Sequence, residues 1–237
     1  MSQPPVNWTT LVAESSRPKP VNHIYITQNS QSIKGKYTIS PYAEDVYPPV
    51  YDLPPAENKA KNSSSAGFVN KNSAISVMVW IEGNKDLVGG HQRPTSIEGL
   101  PVGRPIQEHG KPVTVYTKSH MGRIKIVVPQ YTVPRPLHIQ AKSSSGDVIV
   151  HIPPTFRGML SFTTDSGSFK PSASLNRRLT PLGEQKKHRG VFKVRMADWI
   201  QDDHIERGDS AELITHSGTV YAYEAGEESE DSSCVIV

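Results

Sequence analysis

The chain has 237 residues, a formal net charge of +3, one cysteine, 20 prolines and 17 glycines. The many prolines and glycines exclude a helical bundle, since both residues interrupt helices, and they indicate frequent turns. The small net charge does not point to a nucleic-acid partner, and a single cysteine excludes an intramolecular disulfide and a cysteine-rich metal site.

The N-terminal part of the chain predicts a leader followed by a single β domain. Residues 1–22 are polar and proline-containing, without a sustained period, and are expected to be a flexible leader. The domain is expected to span residues 23–225. Apolar residues alternate with polar ones on both sides of a bend at residues 29–32, which predicts two strands, and the same period of two returns at residues 75–81.

The middle of the chain contains a repeat. Residues 113–129 align without gaps on residues 137–153, at an offset of 24 positions. Each copy reads as strand, turn and strand, and the turn glycine is expected to supply a positive φ. The unit recurs more loosely around Ser166-Gly167 and Ser217-Gly218. The identical positions of the two copies are Lys118 and Lys142, Ser119 and Ser143, Gly122 and Gly146, and Pro129 and Pro153.

About six such units predict an all-β fold built as a β-solenoid-like stack, in which each unit buries its apolar face against its neighbours. An antiparallel β-sandwich is the alternative, because alternation and turn glycines also occur in ordinary hairpins. The repeat is interrupted between residues 175 and 207. At most one short helix is expected, near residues 196–205, where apolar residues share one helical face.

Three features carry a resemblance to a known family: the opening segment IYITQNSQSIKGKYTIS (residues 24–40), the strand–turn–glycine–strand units, and the late segment GDSAELITHSGTVYAYE (residues 208–224). Together they resemble a fungal domain family of unknown function, which is similar in style to adhesin-like repeat-β domains. The resemblance covers roughly residues 23–225, although the first units lack the turn glycine. The family has no assigned activity, so the resemblance transfers no catalytic, cofactor-binding or metal-binding residue to this chain.

The last residues, 226–237, form an acidic tail that ends in Cys234-Val235-Ile236-Val237. A cysteine fourth from the end, followed by two aliphatic residues, matches the C-a-a-X prenylation pattern, so we predict lipidation of Cys234. An unmodified cysteine is the alternative, because valine is an unusual final residue and acidic residues replace the usual basic cluster. One lipid chain attaches a protein weakly, so a second membrane signal is expected.

A basic stretch with one interrupting acid, Glu184, is the candidate for that second signal, as a surface for lipid headgroups or phosphate. The alternative is a solvated loop, since no aromatic residue is interleaved before Phe192 and no nucleic-acid motif accompanies the charges. We therefore predict no nucleic-acid partner. The residues of the predicted basic surface are Arg177, Arg178, Lys186, Lys187, Arg189, Lys193 and Arg195.

Motifs of catalysis and metal binding are not found in the sequence. The nine histidines have no metal-ligand spacing, and no serine stands in a nucleophile motif, so no cofactor and no metal are predicted. Asp147 and Asp165 are expected near successive turns, where two carboxylates could act as an acid/base pair. Turn aspartates that bond their own backbone are the commoner arrangement.

The sequence thus predicts a non-enzymatic repeat-β interaction or scaffold module with a protein or glycan partner. We expect it in the cytoplasm, at the cytoplasmic face of a membrane if Cys234 is prenylated, because no signal peptide or apolar run of membrane-spanning length is visible. One alternative is a surface adhesin or carbohydrate-binding module, with Trp80, Tyr116 and Tyr131 stacking on sugars. A second is a polysaccharide-acting β-helix enzyme.

Overall fold

The computed structural model describes residues 17–41, 64–83, 112–133, 135–194 and 208–227. These residues are mostly β, as predicted, with one short helix. The elements are β1 Ile24–Gln28, β2 Ile33–Ile39, β3 Ser64–Asn70, β4 Ile75–Ile81, β5 Val113–Ser119, β6 Ile124–Val127, β7 Leu137–Ser143, β8 Val148–Ile152, β9 Gly158–Thr164, β10 Phe169–Pro171, α1 Ala173–Arg178, β11 Leu179–Pro181, β12 Arg189–Val194, β13 Asp209–Thr215 and β14 Val220–Glu224.

The helix α1 was not predicted, and the helix expected near residues 196–205 lies outside the described residues. The side chain of Ser172 caps α1 by accepting the backbone N–H of Leu175 at 3.2 Å. Within the described part of the chain, no helix is long and apolar enough to cross a membrane.

Two sheets face each other across one hydrophobic core. The eight-stranded sheet has the order β1-β3-β5-β7-β13-β9-β12-β11, and the six-stranded sheet has the order β10-β14-β8-β6-β4-β2. All strand pairings among the described residues are parallel, except those of β12 with β9 and of β11 with β12. The alternative prediction, an antiparallel β-sandwich, is therefore wrong, because most of the strands pair in parallel.

The offset of the sequence repeat equals the offset between paired residues in the sheets. Val113 of β5 lies opposite Leu137 of β7, and Ile124 of β6 lies opposite Val148 of β8, each pair separated by the predicted offset of 24 positions. The two strands of one copy lie in different sheets, and each pairs with its equivalent strand in the next copy. Identical spacing therefore places like residues side by side, which is the parallel counterpart of cross-strand pairing.

The last unit of the described chain lies out of chain order. Strand β13 pairs with β7 on one side and β9 on the other, while β14 pairs with β8 and β10. The unit β13–β14 is thus inserted between the units β7–β8 and β9–β10, which precede it in the sequence. Successive units are therefore not always neighbours in the stack.

A serine or threonine three positions before each turn glycine connects neighbouring turns. Thr215 Oγ1 accepts the Gly218 N–H at 3.1 Å and donates to the Gly146 carbonyl oxygen at 2.8 Å. Thr164 and Ser119 make the corresponding pairs of bonds, and Ser143 Oγ donates to the Gly122 carbonyl oxygen at 3.0 Å. These hydroxyls are buried, so their bonds hold the turns in register.

The turn glycines are needed mainly because the turns pack closely. A Cβ atom at Gly122 would collide with the Ser73 carbonyl oxygen, and one at Gly218 would collide with the Gly146 carbonyl oxygen. Among these turn glycines, only Gly146 has a positive φ, 150°. The expected positive φ is therefore confirmed for Gly146 and wrong for Gly122. At Gly122, Gly167 and Gly218 the close approach of two backbones excludes a side chain.

The core consists of aliphatic side chains in rows across each sheet, and three phenylalanines close one end. The ring of Phe169 stacks on Phe162 at 4.5 Å and on Phe192 at 5.4 Å between ring centroids. Phe192 belongs to β12, so these contacts fix the antiparallel hairpin β11–β12 to the body of the domain. Stacked aromatic pairs contribute about 0.5–1.5 kcal/mol beyond the burial of their area.

Candidate functional site

Four polar or aromatic side chains form a row on the outer face of the eight-stranded sheet. The residues beside them in each strand pack in the core, and alternation along a strand directs the row away from it. Strand pairing aligns the row across β1, β3, β5, β7 and β13, with Gly67 as its member on β3. We call Tyr25, Tyr116, Gln140 and Glu212 the tyrosine–glutamine row.

The row is continuous and internally bonded. The Tyr25 ring occupies the space over Gly67, and a side chain at position 67 would collide with the ring. Gln140 Nε2 donates to Glu212 Oε2, and Lys142 Nζ lies 3.2 Å from the same oxygen. The row therefore places two half-buried tyrosine rings at one end and an amide–carboxylate pair at the other.

Of the three aromatic residues predicted to stack on sugars, only Tyr116 lies in this row, where it is half-buried. Trp80 and Tyr131 are buried and cannot present a ring face to a ligand, so that part of the prediction is wrong. Arg17 lies over the Trp80 ring at 5.8 Å and forms an ion pair with Glu82. Tyr25 was not predicted as a site residue. The alternation of its segment identifies a strand, but it does not show which residues of other strands lie beside Tyr25.

A second surface lies on the hairpin β11–β12, at one end of the eight-stranded sheet. Phe192 and Val194 pack toward the core, so Arg189 and Lys193 project from the outer face. The turn between the two strands carries further exposed lysines. We call Lys186, Lys187, Arg189 and Lys193 the basic hairpin.

Two large apolar side chains are exposed beside the basic hairpin. Met159 lies opposite Lys193 in the pairing of β9 with β12, and it is 51% exposed. Leu182 follows β11, donates its backbone N–H to the Val191 carbonyl oxygen at 2.9 Å, and is 41% exposed. This end of the domain thus combines positive charge with apolar surface.

Arg178 is not part of the predicted basic surface. It is 6% exposed, donates through Nη2 to the Pro154 and Phe156 carbonyl oxygens at 3.0 Å each, and forms a 3.2 Å ion pair with Glu224. Its predicted surface role is wrong because the guanidinium is buried against two backbone carbonyls and the Glu224 carboxylate. Arg177 is exposed on α1. Arg195 and Cys234 lie outside the described residues.

The chain leaves the described part of the domain beside α1. Glu227, the last described residue, accepts hydrogen bonds from Ser172 at 2.5 Å and from Ser174. It also accepts the backbone N–H of Glu224 at 2.7 Å. The start of the acidic tail is therefore fixed at the helix that leads directly into the hairpin.

The structure separates the two carboxylates that were expected near successive turns. Asp147 pairs with Arg123 at 3.3 Å and accepts the Thr219 N–H at 2.9 Å. Asp165 pairs with His216 at 2.7 Å. The inserted unit β13–β14 lies between their turns, so the expectation that Asp147 and Asp165 are neighbours is wrong.

The histidines do not gather into a ligand set. Among the described residues, no group of three or more histidine, cysteine, aspartate or glutamate side chains could hold a metal ion. His120 and His216 lie at exposed turns, where His120 Nδ1 is 3.0 Å from Ser144 Oγ. His91, His109 and His204 lie outside the described residues.

His151 is a buried histidine on the outer face of the six-stranded sheet. Its ring stacks on that of Tyr223 at 4.9 Å. Burial lowers the pKa of His151 from 6.5 to about 4; the positive charge of Lys125 acts in the same direction, while Glu227 and a backbone bond with Glu224 oppose it. The imidazole is therefore neutral at pH 7, a property that the scattered histidines of the sequence did not reveal.

Comparison with known proteins gives one family. The family model described as "Domain of unknown function (DUF7330)" matches residues 22–227. No curated protein matches the sequence. A crystal structure described as that of "a putative cell adhesion protein" from Clostridium sporogenes ATCC 15579 has a TM-score of 0.38 and 8% sequence identity, over 88% of this chain and 95% of that chain.

Proposed function

We propose that this chain, which belongs to the DUF7330 family of domains of unknown function, is a non-enzymatic interaction module built as a solenoid-like stack. Its strands alternate between two sheets, and equivalent strands of neighbouring units pair in parallel with like residues aligned. That arrangement supports the stack, with two departures: one unit is inserted out of chain order, and an antiparallel hairpin covers one end. The predicted family resemblance is confirmed, while its fungal origin stays a prediction.

The ligand surface in this proposal is the tyrosine–glutamine row. One observation carries it: four side chains from four strands lie in a single register row on the outer face of a sheet whose internal strands are paired on both sides. Such a row is extended and preorganised, which lowers the entropic cost of binding an elongated partner. The partner class is a protein or a glycan.

The positions of the carboxylates support a binding role more than a catalytic one. A pair of acids that cleaves glycosidic bonds must flank one bond at a short distance. Asp147 and Asp165 instead belong to turns separated by an inserted unit, and each is engaged with its own basic partner. The third reading, an enzyme acting on polysaccharide, gains no support from these residues.

Membrane attachment in this proposal is through a prenyl group on Cys234, at the cytoplasmic face. The C-a-a-X pattern is its basis. Six residues separate Glu227 from Cys234, and the seven steps between their Cα atoms span at most roughly 25 Å in an extended chain. The lipid would therefore lie within that distance of α1, where Glu227 is fixed.

The attachment is tested by intact-mass analysis and detergent partitioning of the protein from its native cell, beside a Cys234→Ser variant. A prenyl mass with loss of the last three residues, and its disappearance in the variant, is the expected result. An unmodified protein that partitions into water would contradict the prenyl anchor. It would not affect the proposal that the tyrosine–glutamine row binds a ligand.

The ligand surface is tested on an oligosaccharide panel and on an immobilised peptide library, using a Tyr25→Ala/Tyr116→Ala double variant. Thr163→Ala, on the same outer face but outside the row, is the matched control. We expect saturable binding to one library, weakened at least tenfold in the double variant and unchanged in the control. Equal binding by all three proteins would contradict the assignment of the row.

The carbohydrate-binding alternative is favoured by the two tyrosines of the row, since aromatic faces are suited to stacking. A preference for the oligosaccharide panel that depends on Tyr25 and Tyr116 would select this alternative. Binding confined to peptides would select the protein partner.

A further inference from the structure

We propose that the basic hairpin, together with Met159 and Leu182, is a docking surface for an anionic lipid bilayer. This inference deepens the proposed membrane attachment and rests on it for its biological setting. Its chemistry does not depend on Cys234, however, because every residue that it uses lies on the folded domain.

Charge is the first observation. Residues 179–194 contain four basic side chains, those of the basic hairpin, and a single acid, Glu184. Lys186, Lys187 and Arg189 are exposed, and Arg177 is exposed on the adjoining helix. A lysine or arginine near an anionic bilayer contributes about 1 kcal/mol of binding free energy, so this cluster is large enough to be measured.

Apolar exposure at the same place is the second observation. Met159 and Leu182 are 51% and 41% exposed, and both flank the basic hairpin. Mixed basic and apolar surfaces bind the interface of anionic membranes, because the charges attract headgroups while the apolar groups enter the acyl boundary.

Rigidity is the third observation. Phe192 stacks on Phe169 and Phe162, and Val194 packs in the core, so the inner face of β12 is fixed to the domain. The outer face of the same strand is then held in one orientation. A bilayer would therefore meet a preformed surface, without an ordering cost for the hairpin.

The exit of the chain is the fourth observation. Glu227 is fixed to Ser172 and Ser174 of the α1 region, and α1, about 9 Å long, leads directly into β11. A lipid on Cys234 and the basic hairpin would thus approach the bilayer from the same end of the domain. Two weak signals at one end give the combined attachment that one lipid chain does not provide.

The experiment uses the full chain with Cys234→Ser, so that no lipid contributes, and measures flotation with vesicles of phosphatidylcholine alone or mixed with phosphatidylserine. The test variant is Lys187→Glu/Arg189→Glu. The matched control is Lys34→Glu/Lys36→Glu, the same charge change on exposed lysines of β2, at the opposite end of the stack. Thermal unfolding establishes that both variants are folded.

We expect binding to the anionic vesicles and not to the neutral ones, with affinity falling as salt rises. The hairpin variant should bind at least tenfold more weakly, and the control should bind like the parent. A Met159→Ser/Leu182→Ser variant should bind several-fold more weakly with an unchanged salt dependence.

Two results would overturn the proposal: no preference for anionic vesicles, or equal losses of binding in the hairpin and control variants. Neither outcome depends on whether Cys234 carries a prenyl group in cells. Failure of the docking surface is therefore distinguishable from failure of the prenyl anchor.

Discussion

Asp209 accepts the backbone N–H of Leu137 through its Oδ1 atom at 2.8 Å, across 72 positions of the sequence. Its Oδ2 atom accepts the N–H of Arg157 at 2.8 Å. One buried carboxylate at the start of β13 therefore holds the start of β7 on one side and the segment before β9 on the other. These bonds fix the inserted unit at the point where the chain order of the stack is broken.

Replacing Asp209 by asparagine should destabilise the fold. One carboxylate oxygen becomes an amide group that cannot accept a hydrogen bond, so one buried N–H loses its partner at a cost of about 1–3 kcal/mol. Urea unfolding measures the loss. Asp165→Asn, at an exposed turn, is the control and should change the free energy of unfolding by less than about 1 kcal/mol.

Replacing Thr215 by valine removes the hydroxyl but keeps the shape of the side chain. The Gly218 N–H and the Gly146 carbonyl oxygen both lose a buried partner, and we expect a loss of about 1–3 kcal/mol. Thr163→Val, half-buried on the outer face of β9, is the matched control. Equal urea midpoints for the two variants would show that the hydroxyl does not hold the turns together.

Replacing Gly122 by alanine tests the close packing of the turns. The new Cβ atom would lie 2.7 Å from the Ala74 backbone nitrogen and would collide with the Ser73 carbonyl oxygen, so two backbones must separate. We expect a loss of about 3 kcal/mol in thermal or urea unfolding. At Gly83 a Cβ atom would meet nothing closer than 3.4 Å, so Gly83→Ala should be nearly neutral.

Acid should destabilise the protein through His151. Burial, assisted by Lys125, lowers the pKa of His151 from 6.5 to about 4, so between these pH values the unfolded chain binds a proton that the folded chain does not. The free energy of unfolding therefore falls as the pH decreases from 6.5 to 4, and this histidine accounts for about 3 kcal/mol of the loss.

His151→Phe keeps a ring that can stack on Tyr223 but cannot titrate. Its advantage over the wild type should grow by about 3 kcal/mol between pH 6.5 and pH 4, as measured by urea unfolding at each pH. Parallel pH profiles for the two proteins would contradict the assignment.

The sequence predicted the β class, most strand positions and the register of the central units. Alternation marks the strands, and the offset of 24 aligns Val113 with Leu137 because neighbouring copies must present the same face to one core. The candidate surfaces were predicted only in part. A period of two shows that Tyr116 points away from the core, but it does not show that Tyr25 and Gln140 share its row.

The inserted unit could not be predicted, because its pattern is that of every other unit. Strands β9 and β13 both show the alternation of the other units, so alternation alone does not determine which of them pairs with β7. Long-range contacts such as those of Asp209 accompany the observed pairing of β13 with β7. The burial of Arg178 escaped prediction for a similar reason, since Glu224 is distant in sequence. Local charge density indicated an exposed group, whereas tertiary contacts bury it.

The position of β13 and β14 also sets an order of events on the ribosome. Residues 137–171, which form β7 to β10, are translated before residues 209–224, which must lie between them. Nascent β7–β8 and β9–β10 therefore emerge with unsatisfied edges, and neither sheet is continuous until the later unit has left the exit tunnel. Translation thus supplies the units β7–β8 and β9–β10 first and the unit that joins them, β13–β14, last. The step that completes both sheets therefore comes late in synthesis.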